Sequence, residues 1–300
     1  MFVVKTQFGI KDLENLSNVK AHTIRIWEKR YNLLEPNRTD TNIRKYDLES
    51  LKKLLNIVYL YNEGHKISTL ASLNKTELQK LVKENVHELN TEYACNVLKT
   101  AMFEFDSELF DTTFKKLIEQ KSFREVFLEV FVPLLNETGI LWHSGTIDPS
   151  HEHFISEKIR HLIIQQYNLI KDTPTAKENK TFVLYLPLKE IHDIGLLYAN
   201  YELLSAGYNT IYLGANVPID SLNHVVKTQS EIVFVTYFTV QPETDQVENY
   251  ISEFQEKVSH IKPCELWILG KKVDQVVNTY NNIRVFNSLE LFTQHIETTL

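Results

Sequence analysis

The first 73 residues alternate hydrophobic and polar positions with the period of short helices. Apolar residues recur at spacings of three and four, which is typical of helices that bury one face. This pattern predicts helices at 10–16, 21–30, 48–62 and 67–73. Residues 34–46 (LEPNRTDTNIRKY) break the pattern with turn-forming and basic residues, so we expect an exposed hairpin or wing there. The order helix, turn, helix, basic wing is typical of proteins that read DNA.

The remaining residues show two further patterns. Residues 75–171 keep the helical period throughout, which predicts a bundle of four or five helices. After the loop KDTPTAKENK, five β-rich runs alternate with helical stretches, which predicts a five-stranded parallel sheet covered on both faces. The expected fold is therefore multidomain. It has a winged helix-turn-helix domain at 1–74, a helical bundle at 75–172 and a Rossmann-like α/β domain at 180–300.

Composition favours a globular protein of the cytoplasm. Hydrophobic residues make up 43% of the chain and charged residues 24%, and no apolar run approaches the roughly 18 residues of a membrane-spanning helix. Charges interrupt the apolar stretch at the N-terminus, so a secretory signal is not expected. Cys95 and Cys264 lie far apart, which excludes a disulfide framework and a CxxC-type zinc site.

Charge is distributed unevenly along the chain. The net charge is -7, yet residues 1–74 contain 12 lysines and arginines against 8 aspartates and glutamates. That segment therefore carries +4 and the rest of the chain carries -11. A basic end favours contact with phosphates, whereas an acidic body is repelled by them.

The basic end resembles the N-terminal domain of the MerR family of regulators. The resemblance rests on AHTIRIWEKRYNLLEP, NRTDTNIRKYDLESLKKL and EGHKISTLASL, which cover residues 6–73 in order. It implies that Thr23 and Arg25 enter the major groove of double-stranded DNA, and that Arg38, Arg44 and Tyr46 hold the adjacent backbone. It also implies a homo-oligomer, a dimer or a tetramer, on a near-palindromic operator.

Residue patterns alone leave a plainer interpretation of this helix open. Its basic residues Arg25, Lys29 and Arg30 are also what the solvated face of any amphipathic helix would show. The wing and the charge asymmetry favour DNA binding over that interpretation. Trp27 and Tyr31 are expected in the core or at the phosphate backbone rather than at base edges, because helical spacing most often directs apolar aromatic residues inward.

Two motifs in the second half carry candidate ligand chemistry. In LWHSGTIDPSHEHF, Trp142 and His143 are followed by Glu152 and His153, with nine residues between Trp142 and Glu152. Together with the motif KEIHDIG after the first β-rich run, this resembles the cobalamin-binding module of light-sensing MerR-type regulators and of methionine synthase. The resemblance implies that Trp142, Glu152 and His153 cover the upper face of adenosylcobalamin. His143 would take the upper cobalt position after light has expelled the adenosyl group.

The second motif contains Glu190, His192 and Gly195. By the same resemblance His192 supplies the lower axial ligand of cobalt, and a neutral imidazole is a good ligand for a transition metal. Its other ring nitrogen needs an acceptor, which Glu190 or Asp193 could provide. Gly195 would let the following helix approach closely.

Other positions depart from the family pattern. A channel for the cofactor tail is lined in the family by a Ser-x-Leu-like turn and a Gly-Gly pair, where this chain has Thr236-Tyr237-Phe238 and Gly270-Lys271. Thr236 and Gly270 are the candidate contacts. The side chains of Tyr237, Phe238 and Lys271 are expected to occupy volume that the family leaves open, although Lys271 could instead meet the tail phosphate.

Three hypotheses follow. The first is a repressor whose C-terminal module senses adenosylcobalamin, and light through it, to control oligomerisation and DNA affinity. The second is a DNA-binding regulator with a degenerate, cobalamin-free module that acts through protein contacts. The third, an enzyme, is disfavoured because a substrate-converting domain of about 200 residues would find no room, and no phosphate-binding or nucleophile motif is present. A zinc site at His143, His151 and His153 is disfavoured by their spacing.

Overall fold

Four helices and a small hairpin begin the computed structural model, which describes residues 5–85, 90–171, 177–228, 231–277 and 280–298. The helices are α1 (Ile10–Ser17), α2 (Ala21–Tyr31), α3 (Leu48–Asn62) and α4 (Ile67–Ser72). Strands β1 (Asn37–Arg38) and β2 (Arg44–Lys45) pair antiparallel between α2 and α3. Each helix ends within one residue of its prediction, so the helix-turn-helix and the wing are confirmed. We call residues 5–73 the winged region.

Five further helical segments form the bundle. They are α5 (Lys75–Asn85), α6 (Thr91–Glu104), α7 (Ser107–Ile118), a continuous segment made of α8 (Phe123–Val126), a π-helical turn (Phe127–Phe131) and α9 (Val132–His143), and finally α10 (Pro149–Ile170). Polar side chains set where these helices begin. Asn90 and Asp106 accept hydrogen bonds from the backbone N–H groups of Tyr93 and Leu109, at 2.8 and 2.9 Å, which satisfies donors that have no partner inside the helix.

The chain divides into two compact units, Met1–Glu157 and Lys158–Leu300. In the first unit the winged region contacts α6 of the bundle. The rings of Phe8 and Phe103 meet edge to face, with centroids 5.3 Å apart. The buried ammonium of Lys99 donates to the backbone carbonyl of Leu16 at the end of α1 (3.4 Å) and pairs with Glu137 (2.9 Å). Lys99 of α6 therefore bonds both to the winged region and to a second helix of the bundle.

The loop between α9 and α10, residues 144–148, also holds the winged region. The backbone N–H of Lys5 donates to the Asp148 carboxylate (2.6 Å), and the Lys5 ammonium donates to the Gly145 carbonyl (3.0 Å). The Asn15 amide donates to the Thr146 hydroxyl (3.0 Å). We call this set of contacts the α9–α10 latch.

The second unit contains the parallel sheet. Its strands are β3 (Lys177–Pro187), β4 (Tyr208–Val217), β5 (Ile232–Phe238), β6 (Glu265–Gly270) and β7 (Ile283–Phe286), in the order β4-β3-β5-β6-β7. The helices are α11 (Ile194–Ser205), α12 (Leu222–Thr228), α13 (Val247–Phe254) and α14 (Leu289–Thr298). All neighbouring strands are parallel, so the predicted Rossmann-like sheet is confirmed.

The strand order reverses between β3 and β5, because the chain crosses β3 on its way from β4 to β5. In such sheets ligands bind at the carboxyl ends of the strands beside this switch point. Strand β3 begins at Lys177, inside the predicted loop, and residues 172–176 lie outside the described part. The domain limits at 74, 172 and 180 stay predictions. Within the described ranges, no helix is long and apolar enough to cross a membrane.

Candidate functional site

Helix α2 presents a basic face to solvent. Ile24 and Trp27 are buried on its other face, and Trp27 lies edge to face against Tyr61 of α3 (5.4 Å), so the prediction of a core Trp27 is confirmed. Thr23 is half-buried and Arg25 is exposed. The exposed residues of the helix are His22, Arg25, Ile26, Lys29 and Arg30. Four of these five side chains carry nitrogen donors suited to phosphates or base edges.

Glu28 of α2 joins this helix to the wing. Arg44 Nε donates to the Glu28 carboxylate (3.1 Å), and the Tyr46 hydroxyl donates to its other oxygen. Tyr46 is only 1% exposed, so the expectation that it grips the DNA backbone is wrong for this conformation: its ring belongs to the core. Burial and then Glu28 raise the pKa of Tyr46, which keeps the hydroxyl protonated as a donor. Arg38 stays exposed at the hairpin and donates to the Asn42 side chain (2.7 Å).

The predicted upper-face residues of the first unit lie at its surface. Trp142 is 46% exposed, which rules out a core role, and its ring lies 4.9 Å from that of the exposed His143. His153 is exposed as well, and the half-buried Glu152 accepts a hydrogen bond from the Ser156 hydroxyl (2.6 Å). An exposed indole beside an exposed imidazole can cover a flat ligand, and the imidazole of His143 can offer that ligand a coordinating nitrogen.

His151 of the same motif is buried and has a structural role. Its ring stacks on Phe105 (5.0 Å), and Nδ1 accepts the backbone N–H of Asp148 (3.2 Å) at the start of α10. Among the described residues Nε2 has no hydrogen-bond partner, and no group of three or more His, Cys, Asp or Glu residues there could hold a metal ion. Burial lowers the pKa of His151 against the opposing effect of Asp148.

His151 therefore makes the stability of the first unit depend on pH. Because the pKa is lower in the folded than in the unfolded state, the free energy of unfolding is expected to fall as pH drops below about 6.5. His151→Phe should remove this dependence, at a cost of about 1 kcal/mol at pH 8 for the lost acceptor. Urea unfolding at several pH values measures both. His153→Phe, two residues along the same helix, is the control, and an unchanged pH profile in His151→Phe would exclude this role.

In the second unit, His192 lies between β3 and α11 at the carboxyl edge of the sheet. Its Nδ1 lies 2.6 Å from Oε1 of Glu190, and the imidazole is half exposed. Of the two predicted acceptors, Glu190 is thus the one in contact. Asp193 instead forms a bidentate ion pair with Arg160 of α10, in which the two guanidinium nitrogens lie 2.5 and 2.6 Å from the two carboxylate oxygens. Arg160 was not predicted, because its partner is 33 residues away in the sequence.

Glu190 is fully buried and is held by two loops. Its Oε1 accepts the backbone N–H groups of Ile191 and His192, and its Oε2 accepts those of Val240 and Gln241 after β5, all at 2.6–3.0 Å. Burial alone would raise the pKa of Glu190, but the His192 ring and these N–H donors lower it to about 2. The carboxylate is therefore ionised and orients the imidazole with Nδ1 as donor, which makes Nε2 the nitrogen suited to coordinate a metal.

Three apolar side chains lie on the loops that hold Glu190 and His192. Leu188, Ile191 and Val240 are all exposed, although they flank a fixed imidazole at the switch point of the sheet. An oriented imidazole with exposed aliphatic groups on the same loops suits a flat, largely apolar macrocycle that carries a transition metal. The residues on this edge of the sheet therefore fit a corrin ring bound through His192.

The space beneath α11 is filled by Tyr237. A Cβ atom added at Gly195 would lie 2.5–3.0 Å from the Tyr237 ring, so Gly195 admits this ring rather than only the helix backbone. Burial raises the pKa of Tyr237 to about 12. Phe238 points the other way into the core and meets Tyr250 edge to face (5.4 Å), so the expectation that it fills a ligand channel is wrong. Thr236 is fully buried within β5.

Gly270 ends β6 in a conformation that favours glycine. Its φ is +112°, and a Cβ there would lie 2.4 Å from the carbonyl oxygen of Phe238. Lys271 is exposed. The next residue, Lys272, donates to the carbonyls of Val240 and Pro242 and so supports the loop that binds Glu190.

Comparisons with known protein families match two parts of the chain. Residues 8–75 match the family model described as MerR HTH family regulatory protein, and residues 94–164 match the model described as B12 binding domain. The chain thus joins a MerR-type helix-turn-helix to a B12-binding region. It is homologous to two proteins of Myxococcus xanthus. One is HTH-type transcriptional repressor CarH, 28% identical over 226 residues that cover 73% of this chain and 74% of that protein. The other is HTH-type transcriptional repressor CarA, 25% identical over 231 residues, 76% and 75% of the two chains.

A solved structure supports the fold. The monomethylamine corrinoid protein of Methanosarcina barkeri superposes with a TM-score of 0.54 at 11% identity, over 67% of this chain and 95% of that one. At that identity the likeness concerns the architecture alone.

Proposed function

We propose that this chain is a DNA-binding transcriptional repressor that binds adenosylcobalamin and responds to light by changing its oligomeric state and DNA affinity. The observation that carries the proposal is the His192–Glu190 pair. Four backbone N–H groups hold one buried, ionised carboxylate in place, and that carboxylate fixes the orientation of a single imidazole. Such an arrangement is what a metal ligand of fixed orientation requires.

The residues of this chain divide the work as follows. His192 would hold cobalt through Nε2, Glu190 would fix the ring, and Leu188, Ile191 and Val240 would contact the corrin. When bound, adenosylcobalamin would supply a cobalt–carbon bond that light breaks. Trp142, His143, Glu152 and His153 are assigned to the other face by the family resemblance, with His143 as the candidate second ligand after illumination.

On the DNA side, Thr23 and Arg25 are proposed for the major groove and Arg38 and Arg44 for the backbone. A dimer or tetramer would present several such surfaces, and each additional bound surface multiplies affinity through effective concentration. Loss of the assembly after illumination would then release the operator.

Arg25→Ala is expected to weaken DNA binding about tenfold, because an arginine contact to a base edge or phosphate contributes about 1–3 kcal/mol. Fluorescence anisotropy at fixed salt measures this on a duplex selected from a random pool. Lys80→Ala removes an exposed charge from α5 and is the matched control. Equal affinities of Arg25→Ala and the wild-type chain would remove α2 from the DNA interface.

The second candidate is a regulator that acts without the cofactor. The observation that favours it is Tyr237, whose ring lies against Gly195 in volume that the family resemblance assigns to the cofactor tail. In that case protein contacts of the second unit would control the DNA-binding end.

An absorption spectrum separates the two candidates. The protein is mixed with adenosylcobalamin in the dark, desalted, and measured before and after green light. Retained corrin bands that change on illumination support the first proposal. A colourless protein that still binds DNA supports the second.

A further inference from the structure

Helix α2 carries an exposed isoleucine in the middle of its basic face. Ile26 is 47% exposed, whereas the other two aliphatic or aromatic residues of the helix centre, Ile24 and Trp27, are buried. At 3.6 residues per turn, His22, Ile26 and Lys29 lie on one line along the helix, with Arg25 on one side of it. An apolar side chain therefore lies where every neighbour on that face is suited to a nucleic acid.

This placement has a specific chemical counterpart. Phosphates offer nothing apolar to Ile26, and the C–H groups of deoxyribose are the same at every nucleotide. The one apolar group that distinguishes base edges in the major groove is the C5 methyl of thymine. A second copy of this chain is a poorer partner, since docking on this face would bring together Arg25, Lys29 and their equivalents and so oppose like charges.

We propose that Ile26 contacts a thymine methyl group and selects a T·A pair at one position of each half-site. The inference rests on the proposed DNA-binding function and adds the base that is read. It assigns sequence preference to Ile26, while the basic residues around it set the overall affinity and its dependence on salt.

The test combines a deletion in the protein with a deletion in the DNA. The full-length chain selects a duplex from a random pool, and each thymine of one half-site is then replaced singly by deoxyuridine, which removes only the methyl group. Anisotropy titrations at several salt concentrations compare the wild-type chain, Ile26→Ala and Ile26→Val. Ile118→Ala, a partly exposed isoleucine of α7, is the matched control, and thermal unfolding confirms that each variant is folded.

One thymine should show the effect. Its replacement by deoxyuridine should weaken the wild-type chain and Ile118→Ala about fourfold, the value expected for one methyl group removed from an apolar contact. Ile26→Ala should not respond to that replacement, Ile26→Val should respond partly, and the salt slope should be the same for all. If no thymine shows this coupling, or if Ile26→Ala keeps the wild-type deoxyuridine profile, the assignment is wrong. A wild-type chain that selects no DNA would overturn the proposed function itself.

Discussion

After incubation with adenosylcobalamin in the dark, His192→Ala is expected to leave a desalting column colourless under conditions in which the wild-type chain stays coloured. The substitution removes the nitrogen that Glu190 orients at the carboxyl edge of β3. Loss of a partner that only orients a metal ligand costs about 10- to 100-fold in affinity, and loss of the ligand itself should cost more. Titration followed by corrin absorption measures the ratio.

Two variants make this result interpretable. Glu190→Gln keeps an oxygen for His192 but directs its amide hydrogens toward the backbone N–H groups of Val240 and Gln241. We therefore expect an intermediate affinity for adenosylcobalamin and a reduced stability of the second unit. His161→Ala removes an exposed imidazole from α10 and should bind as the wild-type chain does. Wild-type retention by His192→Ala would show that the pair with Glu190 serves the fold and not a ligand.

Gly270→Ala is expected to destabilise the second unit by about 2–5 kcal/mol. The residue has a φ of +112°, which disfavours any side chain, and its Cβ would meet the Phe238 backbone at 2.4–2.8 Å. Relief is difficult because Phe238 and Gly270 are register partners of β5 and β6, so both backbones are held by the sheet. Urea unfolding followed by tryptophan fluorescence, to which the buried Trp267 on β6 contributes, reports the change.

Gly139→Ala provides the matched substitution. No atom lies within 4 Å of a Cβ at this position in α9, and alanine is favoured over glycine inside a helix by about 1 kcal/mol. This variant should be neutral or slightly stabilised. Similar unfolding midpoints for the two variants would mean that β5 and β6 separate easily at their carboxyl ends.

The fold could largely be predicted because its elements follow local periodicity. The apolar spacing in α1 to α4 and the continuous apolar run from Phe182 to Leu186 in β3 each express burial of a face or of a whole strand. Strand order could not be predicted, because it depends on contacts between distant segments that place β4 on one side of β3 and β5 on the other.

The candidate site was predicted where a motif is local and missed where it is assembled from distant segments. His192 and Glu190 lie two residues apart, so the pair could be proposed from sequence, whereas the N–H groups of Val240 and Gln241 come from another strand. Tyr46 was misassigned because its partner Glu28 lies 18 residues earlier on α2. An acidic residue amid the basic residues of that helix was the available signal.

The α9–α10 latch changes how the DNA-binding surface can search for its second half-site. A winged region on a loose tether would tolerate varied spacing between half-sites, since a flexible chain spans many distances with little difference in free energy. Here Lys5 and Asn15 bind the winged region to a loop that starts directly after His143. These contacts hold helix α2 in a fixed orientation relative to the bundle. The proposed assembly would therefore bind operators of one half-site spacing only. Adding half a helical turn of DNA between the half-sites would rotate the second half-site away from the α2 helix that is to bind it.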